Sequence, residues 1–229
     1  MTAIIRVINP NSNPDVTNSM LRALVPLQFS NGPLFDCVTL SNAPCGIESQ
    51  EDVTKVEPLL ANLIRNDQEA AAFIIGCYSD PGLALCREVS DRPVFGIAEC
   101  AILTALALGS SFGVISILAN SVSRHTRHLR ERLLHPHCAG DRPLGLTVAQ
   151  LADSKETFAR MVRVGTILRD EDNADALILG CAGMAAYREK LEAVLKLPVI
   201  EPTQAAASMA LSIVTMKSKN WTSSATQND

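Results

Sequence analysis

The chain has 229 residues, 47% of them hydrophobic and only 19% charged, with a formal net charge of −4. That is enough for one large domain, or two small ones packed together, around a substantial core. The weakly acidic balance excludes the strong cationic field that nucleic acid or an anionic membrane surface would need.

The opening MTAIIRVINPNS breaks its apolar run at Arg6 and does not read as a signal peptide. Residues 4–10 read as a strand that ends at Asn9-Pro10. Residues 13–27 read as a helix with capping residues near its start. A second strand covers 35–40, and a helix over 49–66 keeps Glu51, Asp52 and Glu57 on its wet face. An apolar strand over 71–76 leads through a polar turn to a helix at about 81–90 and a strand over 93–98. From Cys100 to Ser123 no residue is charged, a length that could span a bilayer. Gly109-Ser110-Ser111-Phe112-Gly113 splits that segment into a buried helix, a tight turn and a buried strand, so no membrane span is expected. The second half continues with strands over 112–118, 144–149, 175–180 and 198–202. Its helices fall at about 121–134, at 154–170, after 180, and at 203–216. Residues 217–229 are polar and aperiodic and read as a disordered tail; its sequon Asn220-Trp221-Thr222 carries no weight without a secretory signal.

Strands that alternate with helices and are apolar throughout indicate an α/β fold whose parallel sheets are covered on both faces. The two halves also repeat. Ile74-Ile75-Gly76-Cys77 matches Ile178-Leu179-Gly180-Cys181, RPVFGI at 92–97 matches LPVIEP at 197–202, and RVINPNS matches VISILANS. The spacing of these pairs is nearly constant, at about 104–108 residues. The expected architecture is two pseudo-symmetric lobes with a cleft between them. The first lobe takes 1–98 with 203–216, and the second takes 99–202.

The seven cysteines are odd in number, irregular in spacing and without a CxxC, which favours reduced thiols in a cytoplasmic setting over a disulfide framework. Cys37, Cys86 and Cys100 read as core thiols, and Cys45 as a loop thiol. Cys77 and Cys181 are different. Each directly follows an apolar strand and enters a turn of small or polar residues, Tyr78-Ser79-Asp80-Pro81-Gly82 and Ala182-Gly183-Met184. Ligands of open parallel sheets bind outside the carboxyl ends of strands, so both thiols are expected at the mouth of the cleft. Nearby helix N-termini would favour thiolate, and the turn N–H groups would hold an oxygen that gains negative charge. Two opposed thiols suit one task in particular: one removes a proton from carbon and the other delivers a proton to the opposite face. The competing reading is a pair of buried small hydrophobes.

VINPNS (7–12), GCYSDPGL (76–83), RPVFGIAEC (92–100), ISIL (115–118) and LGCAGM (179–184) resemble the hydantoin racemase branch of the aspartate/glutamate racemase superfamily, with allantoin racemases as near relatives. The resemblance runs from about residue 4 to 215. It implies two α/β lobes, a two-cysteine, two-base mechanism without cofactor or metal, a cyclic ureide as substrate, and a homo-oligomer. Cys77 and Cys181 take the positions of the catalytic pair. Asn9 takes a pocket-lining position, Tyr78, Ser79, Asp80, Ala182, Gly183 and Met184 surround the ring, and Ile47 and Ser116 match wall positions. The chain departs from many relatives at Tyr78, where Phe is common, and in the order of the loop Cys45-Gly46-Ile47-Glu48-Ser49. Amino-acid racemases of the superfamily usually carry Cys-Asn-Thr at both sites. Here the turns read Cys-Tyr-Ser and Cys-Ala-Gly, which suits neutral ring carbonyls better than a zwitterion. A related decarboxylase class lacks the first cysteine, and Cys77 argues against it.

The remaining candidates are weaker. His125, His128, His135, His137 and Cys138 cluster as a conceivable zinc site, but SRHTRHLRERLL reads as a solvated Arg-rich helix followed by its cap. Its Arg124, Arg127, Arg130 and Arg132 are interrupted by Glu131 and lack interleaved aromatics, unlike a nucleic-acid surface. Asn9-Pro10-Asn11-Ser12 lacks the glycines of a phosphate loop. The alternatives left open are racemisation of an acidic amino acid, and a non-catalytic module that clamps a ureide.

Overall fold

The computed structural model describes residues 2–152 and 154–216; the expected tail over 217–229 lies outside them. Among these described residues eight strands run in chain order: β1 (Ile4–Asn9), β2 (Leu34–Thr39), β3 (Ala70–Ile75), β4 (Val94–Gly96), β5 (Phe112–Ser116), β6 (Cys138–Pro143), β7 (Ala176–Leu179) and β8 (Val199–Ile200). They are interleaved with α1 (Pro14–Leu24), α2 (Gln50–Asn66), α3 (Leu83–Glu88), α4 (Ile97–Leu108), α5 (Ala119–Glu131), α6 (Ser154–Asp170), α7 (Arg188–Leu195) and α8 (Pro202–Met216). Two four-stranded sheets result, ordered β2-β1-β3-β4 and β6-β5-β7-β8, with every pair parallel. The two orders are the same topology written twice, so the internal repeat is a repeat of structure. This is a two-lobed α/β fold with helices on the sheet faces.

Local sequence explains most starts and stops. Asn13 caps α1 by accepting the Asp15 N–H, with Pro14 in the first turn. Ser49 and Asp52 form a capping box on α2, each side chain accepting the other's backbone N–H. β1, β3, β5 and β7 are interior strands and nearly solid apolar. The charged exception is Arg6 in β1, which binds Asp36 and, at 2.7 Å, Asp67; Asn9 and Ser116 are the polar last residues of β1 and β5. α4 and α8 pack against each other, and each also crosses to the other sheet, α4 onto β7 and α8 onto β3. Ala205, Ala206, Ala207 and Ala210 of α8 let these helices approach closely. One continuous core therefore joins the lobes, with Ile5, Ile74, Phe112 and Ile178 on its two sheets.

Three expectations need correction. The strand expected over 144–149 is β6 at Cys138–Pro143, and 144–149 leaves the sheet toward the cleft. β6 is an edge strand, so Asp141, Arg142 and Pro143 are tolerated there. The apolar Leu144 and Leu146 that suggested a strand are instead buried in the outer core of the second sheet. The strand expected over 93–98 stops at Gly96, because Ile97 and Ala98 already open α4. The helix over 121–134 ends at Glu131, and His135–His137 form a 3₁₀ turn. Among the described residues no helix is long and apolar enough to cross a membrane.

Candidate active site

In each sheet the chain leaves the first strand to one side and returns on the other, so β1/β3 and β5/β7 are switch points where the loops diverge and a crevice opens. The cysteines stand at these two points. Gly76 donates its N–H to Ile8 O at 2.8 Å, and Gly180 donates to Ile115 O at 2.9 Å. A Cβ at Gly180 would sit 2.8 Å from that Ile115 oxygen, so only glycine lets the neighbouring strand come this close. The turns then close alike. Asp80 N donates to Cys77 O (2.9 Å) and Met184 N to Cys181 O (3.1 Å). The N–H of Ser79 points at the Cys77 thiol and that of Gly183 at the Cys181 thiol.

Both thiols line one narrow cleft with Ile47, Asn11, Ser121, Arg124, His125 and Val148. Burial pushes Cys77 up to about 12 and Cys181 up to about 11. The facing Cys181 and the Asp80 carboxylate add to the first, and the Arg124 guanidinium opposes it. Glu201 and Glu48 add to the second. The expectation that helix N-termini would favour thiolate therefore fails: desolvation outweighs them.

The structure sorts the other expected residues. Tyr78, Ser79, Ala182 and Ile47 line the cleft. Asn9 does not: it is fully buried below the floor, where its amide binds Asn11 Oδ1, Asn13 O and Thr17 Oγ1 and shapes the loop that presents Asn11. Ser116, its counterpart in the second sheet, is likewise buried and donates to Asp141. Asp80 caps α4 from a distance in sequence, accepting the N–H groups of Ala98 and Glu99 at 2.9 Å each. Gly96 has no side chain for that task, and burial raises Asp80 to about 7. Glu201 does the same for α8 through Thr203 N and Gln204 N and is also raised by burial, to about 7. Met184 is fully buried in the second sheet's outer core, and Gly183 reaches the site only through its N–H.

Sequence reasoning missed the inward face of α5. Arg124 is only 9% exposed and His125 6%, so this is no solvated helix on that side. His125 Nδ1 lies 2.7 Å from Asp141 Oδ2, and the Tyr78 ring meets the imidazole edge-on with centroids 4.9 Å apart. Arg124 donates to Glu48 O at 3.1 Å, and the Glu48 side chain accepts Val148 N at 3.0 Å, so these bonds tie the loop before α2 to the second half. The available signal was the poverty of apolar residues in ANSVSRHTRHLRE: a packed helix with so few must bury polar ones. Among the described residues no group of three His, Cys, Asp or Glu side chains is arranged to hold a metal ion.

Against this geometry the comparisons are consistent. The Asp/Glu/Hydantoin racemase family profile matches residues 5–210. A hydantoin racemase of Paenarthrobacter aurescens is 31% identical over 221 residues, which is 93% of this chain and 91% of that protein. Among solved structures, allantoin racemase from Pseudomonas fluorescens aligns with a TM-score of 0.88 at 25% identity, covering 93% of this chain and 91% of that one. Allantoin racemase from Klebsiella pneumoniae aligns with a TM-score of 0.84 at 28% identity, covering 93% and 88%. With its two like sheets, its paired Gly-Cys turns and a family match over nearly its full described length, the chain belongs to the Asp/Glu/hydantoin racemase family.

Proposed function

We propose that this protein is a cofactor-independent racemase of 5-substituted hydantoins or of allantoin, working by proton transfer between Cys77 and Cys181. The observation that carries the reading is the pair of Gly-Cys turns at equivalent points of two like sheets, both facing one cleft. Burial holds both groups as thiols at rest, and the reactive form is the one in which one of them has lost its proton, leaving one thiolate and one thiol. The thiolate takes the C5 proton, the C–H electrons form a C5–C4 double bond, and the C4 carbonyl π electrons move to oxygen. The opposite thiol then delivers its proton to the other face of C5, and the electrons return. The two sulfurs have exchanged protonation state, which readies the enzyme for the mirror-image substrate. The names of the relatives support this substrate class.

Zwitterionic amino acids fit less well. The turn positions that would grip ammonium and carboxylate are Tyr78, Ser79, Ala182 and Gly183. Arg124 is available to a carboxylate, but among the described residues no Asp or Glu lines the cleft to meet an ammonium, and stripping water from that charge without a partner costs several kcal/mol. A second cavity of about 290 Å³ shares Tyr78, Ser79, Arg124 and His125 with the cleft and is otherwise lined by Gln50, Glu57, Arg127, His128, Glu131 and a single apolar residue, Val53. That lining favours a polar C5 substituent, such as a ureido group, over an isopropyl or benzyl group.

Polarimetry on optically pure allantoin, benzylhydantoin, isopropylhydantoin and L-glutamate tests the reading. Cys77→Ser and Cys181→Ser should each abolish racemisation, because a serine hydroxyl is too weak an acid to replace a thiol. Each should still exchange C5 hydrogen for deuterium from one enantiomer. The best ureide should outrun glutamate at least about a hundredfold, roughly 2.7 kcal/mol. Near-normal turnover by either single variant, or equal rates on glutamate and the ureides, would overturn the assignment. A wild-type protein that binds ureides tightly and turns over none would be a clamp instead.

A further inference from the structure

The reaction leaves an enolate oxygen beside the thiols, and the turn amides that would be expected to receive it are largely committed. Ser79 N and Gly183 N face the cysteine sulfurs, while Asp80 N and Met184 N close their turns on Cys77 O and Cys181 O. Arg124 is a charged donor in the same cleft. Its guanidinium is held by three neutral oxygens, Glu48 O at 3.1 Å, Asn120 O at 3.3 Å and Ser121 Oγ at 3.2 Å. Among the described residues no carboxylate lies within ion-pair distance of it. Its Nε is buried and has no hydrogen-bond partner. Burying a cation with no ion-pair partner is unfavourable, yet this fold fixes the guanidinium in the wall of the thiol cleft, where the opposite charges that act on it without forming an ion pair are Asp52 and, when ionised, Cys77. That deficit is relieved when an anion arrives there. Because Arg124 also borders the polar second cavity, it stands between the reacting carbon's position and the substituent's.

We propose that Arg124 is the catalytic cation of this site, its guanidinium binding the ring-carbonyl oxygen on which negative charge develops. The proposal rests on the racemase reading. It makes the site complementary to the anionic intermediate more than to the neutral ureide, which is where rate acceleration originates.

The test uses equilibrium binding of barbiturate, a planar ring that is an enolate anion at neutral pH, and of neutral racemic allantoin, by calorimetry on the purified chain. Arg124→Gln should weaken barbiturate roughly thirtyfold while allantoin changes less than about threefold, and Arg124→Lys should recover most of the loss. In turnover, kcat of Arg124→Gln should fall about a hundredfold with KM little changed. A purely structural role would instead weaken both ligands alike and lower Tm. Should Arg124→Gln not fold, wild-type protein still decides: it must bind barbiturate roughly thirtyfold tighter than dihydrouracil, a neutral ring of the same size. Equal binding of those two, or a loss shared equally by barbiturate and allantoin, overturns the proposal. Absence of wild-type turnover on every ureide would instead defeat the racemase reading, with anion preference at residue 124 left as a separate result.

Discussion

Replacing Gly180 by alanine adds one methyl group at the tightest backbone approach beside Cys181. Its Cβ would lie 2.8 Å from Ile115 O and 3.2 Å from Ser116 Cα, both backbone atoms of the neighbouring strand, and 3.2 Å from Val114 Cγ1. The chain at Gly180 is bonded to that same Ile115 oxygen at 2.9 Å, so relief requires stretching the β5–β7 ladder. The φ angle at Gly180 lies outside the left-handed region, so the cost is steric and not conformational. Overpacking of this kind costs about 1–3 kcal/mol, and the rigid neighbours put Gly180→Ala near the upper end. Alanine returns roughly 0.4–1 kcal/mol by restricting the unfolded chain. A net loss of about 2 kcal/mol lowers Tm by roughly 4–8 °C for a chain of this size. Gly76→Ala is the internal control. Its Cβ meets Met20 Sδ at 2.5 Å and the backbone Ile8 O at 3.0 Å; a methionine end can rotate away and the backbone contact is looser than the 2.8 Å one at Gly180, so a smaller loss of about 1 kcal/mol is expected. Thermal melts followed by circular dichroism, with racemisation rates at 25 °C, give both readouts. The rate should fall more than the stability change alone requires, because the methyl group moves Cys181 off its line to the substrate. If Gly180→Ala melts within a degree of wild type, or if Gly76→Ala is the worse of the two, the steric account of these glycines is wrong.

Two further outcomes are expected. Asp80 is raised by burial from 3.8 to about 7 in the folded protein, so between about pH 4 and 7 the unfolded chain is ionised while the folded one holds its proton. Stability from this group is therefore lost as pH rises through that window. Relative to Asp80→Asn, which cannot titrate, wild type should lose thermal stability as pH rises from about 5 to 8; a wild type that gains on the variant over that range refutes the sign. Racemisation should survive exhaustive dialysis against EDTA without added pyridoxal phosphate or nucleotide, and activity lost on chelation but restored by zinc would reopen the cluster from His125 to Cys138.

Much of this protein was legible from its sequence because the determining interactions are local or periodic. Interior parallel strands are buried on both faces, so β1, β3, β5 and β7 announce themselves as short apolar runs. The Ser49 and Asp52 capping box marks the start of α2, and the helix expected over 154–170 is α6 with those bounds. The repeated Gly-Cys step after a strand placed both thiols at the carboxyl ends of equivalent strands; that these ends are switch points is set by the strand order of the folded sheets. What only the tertiary structure decided depends on partners far away in the chain. β6 escaped notice because an edge strand needs few apolar residues. Asp80 is a helix cap for α4 and not a wall residue, because position 96 lacks a side chain and Asp80 is held beside it. Asn9 and Ser116 end their strands pointing into scaffold hydrogen bonds, a direction no spacing rule reveals. Arg124 and His125 looked solvated because a polar helix face normally meets water; here it closes over two thiols, and only the packing of α5 across the cleft turns those side chains inward.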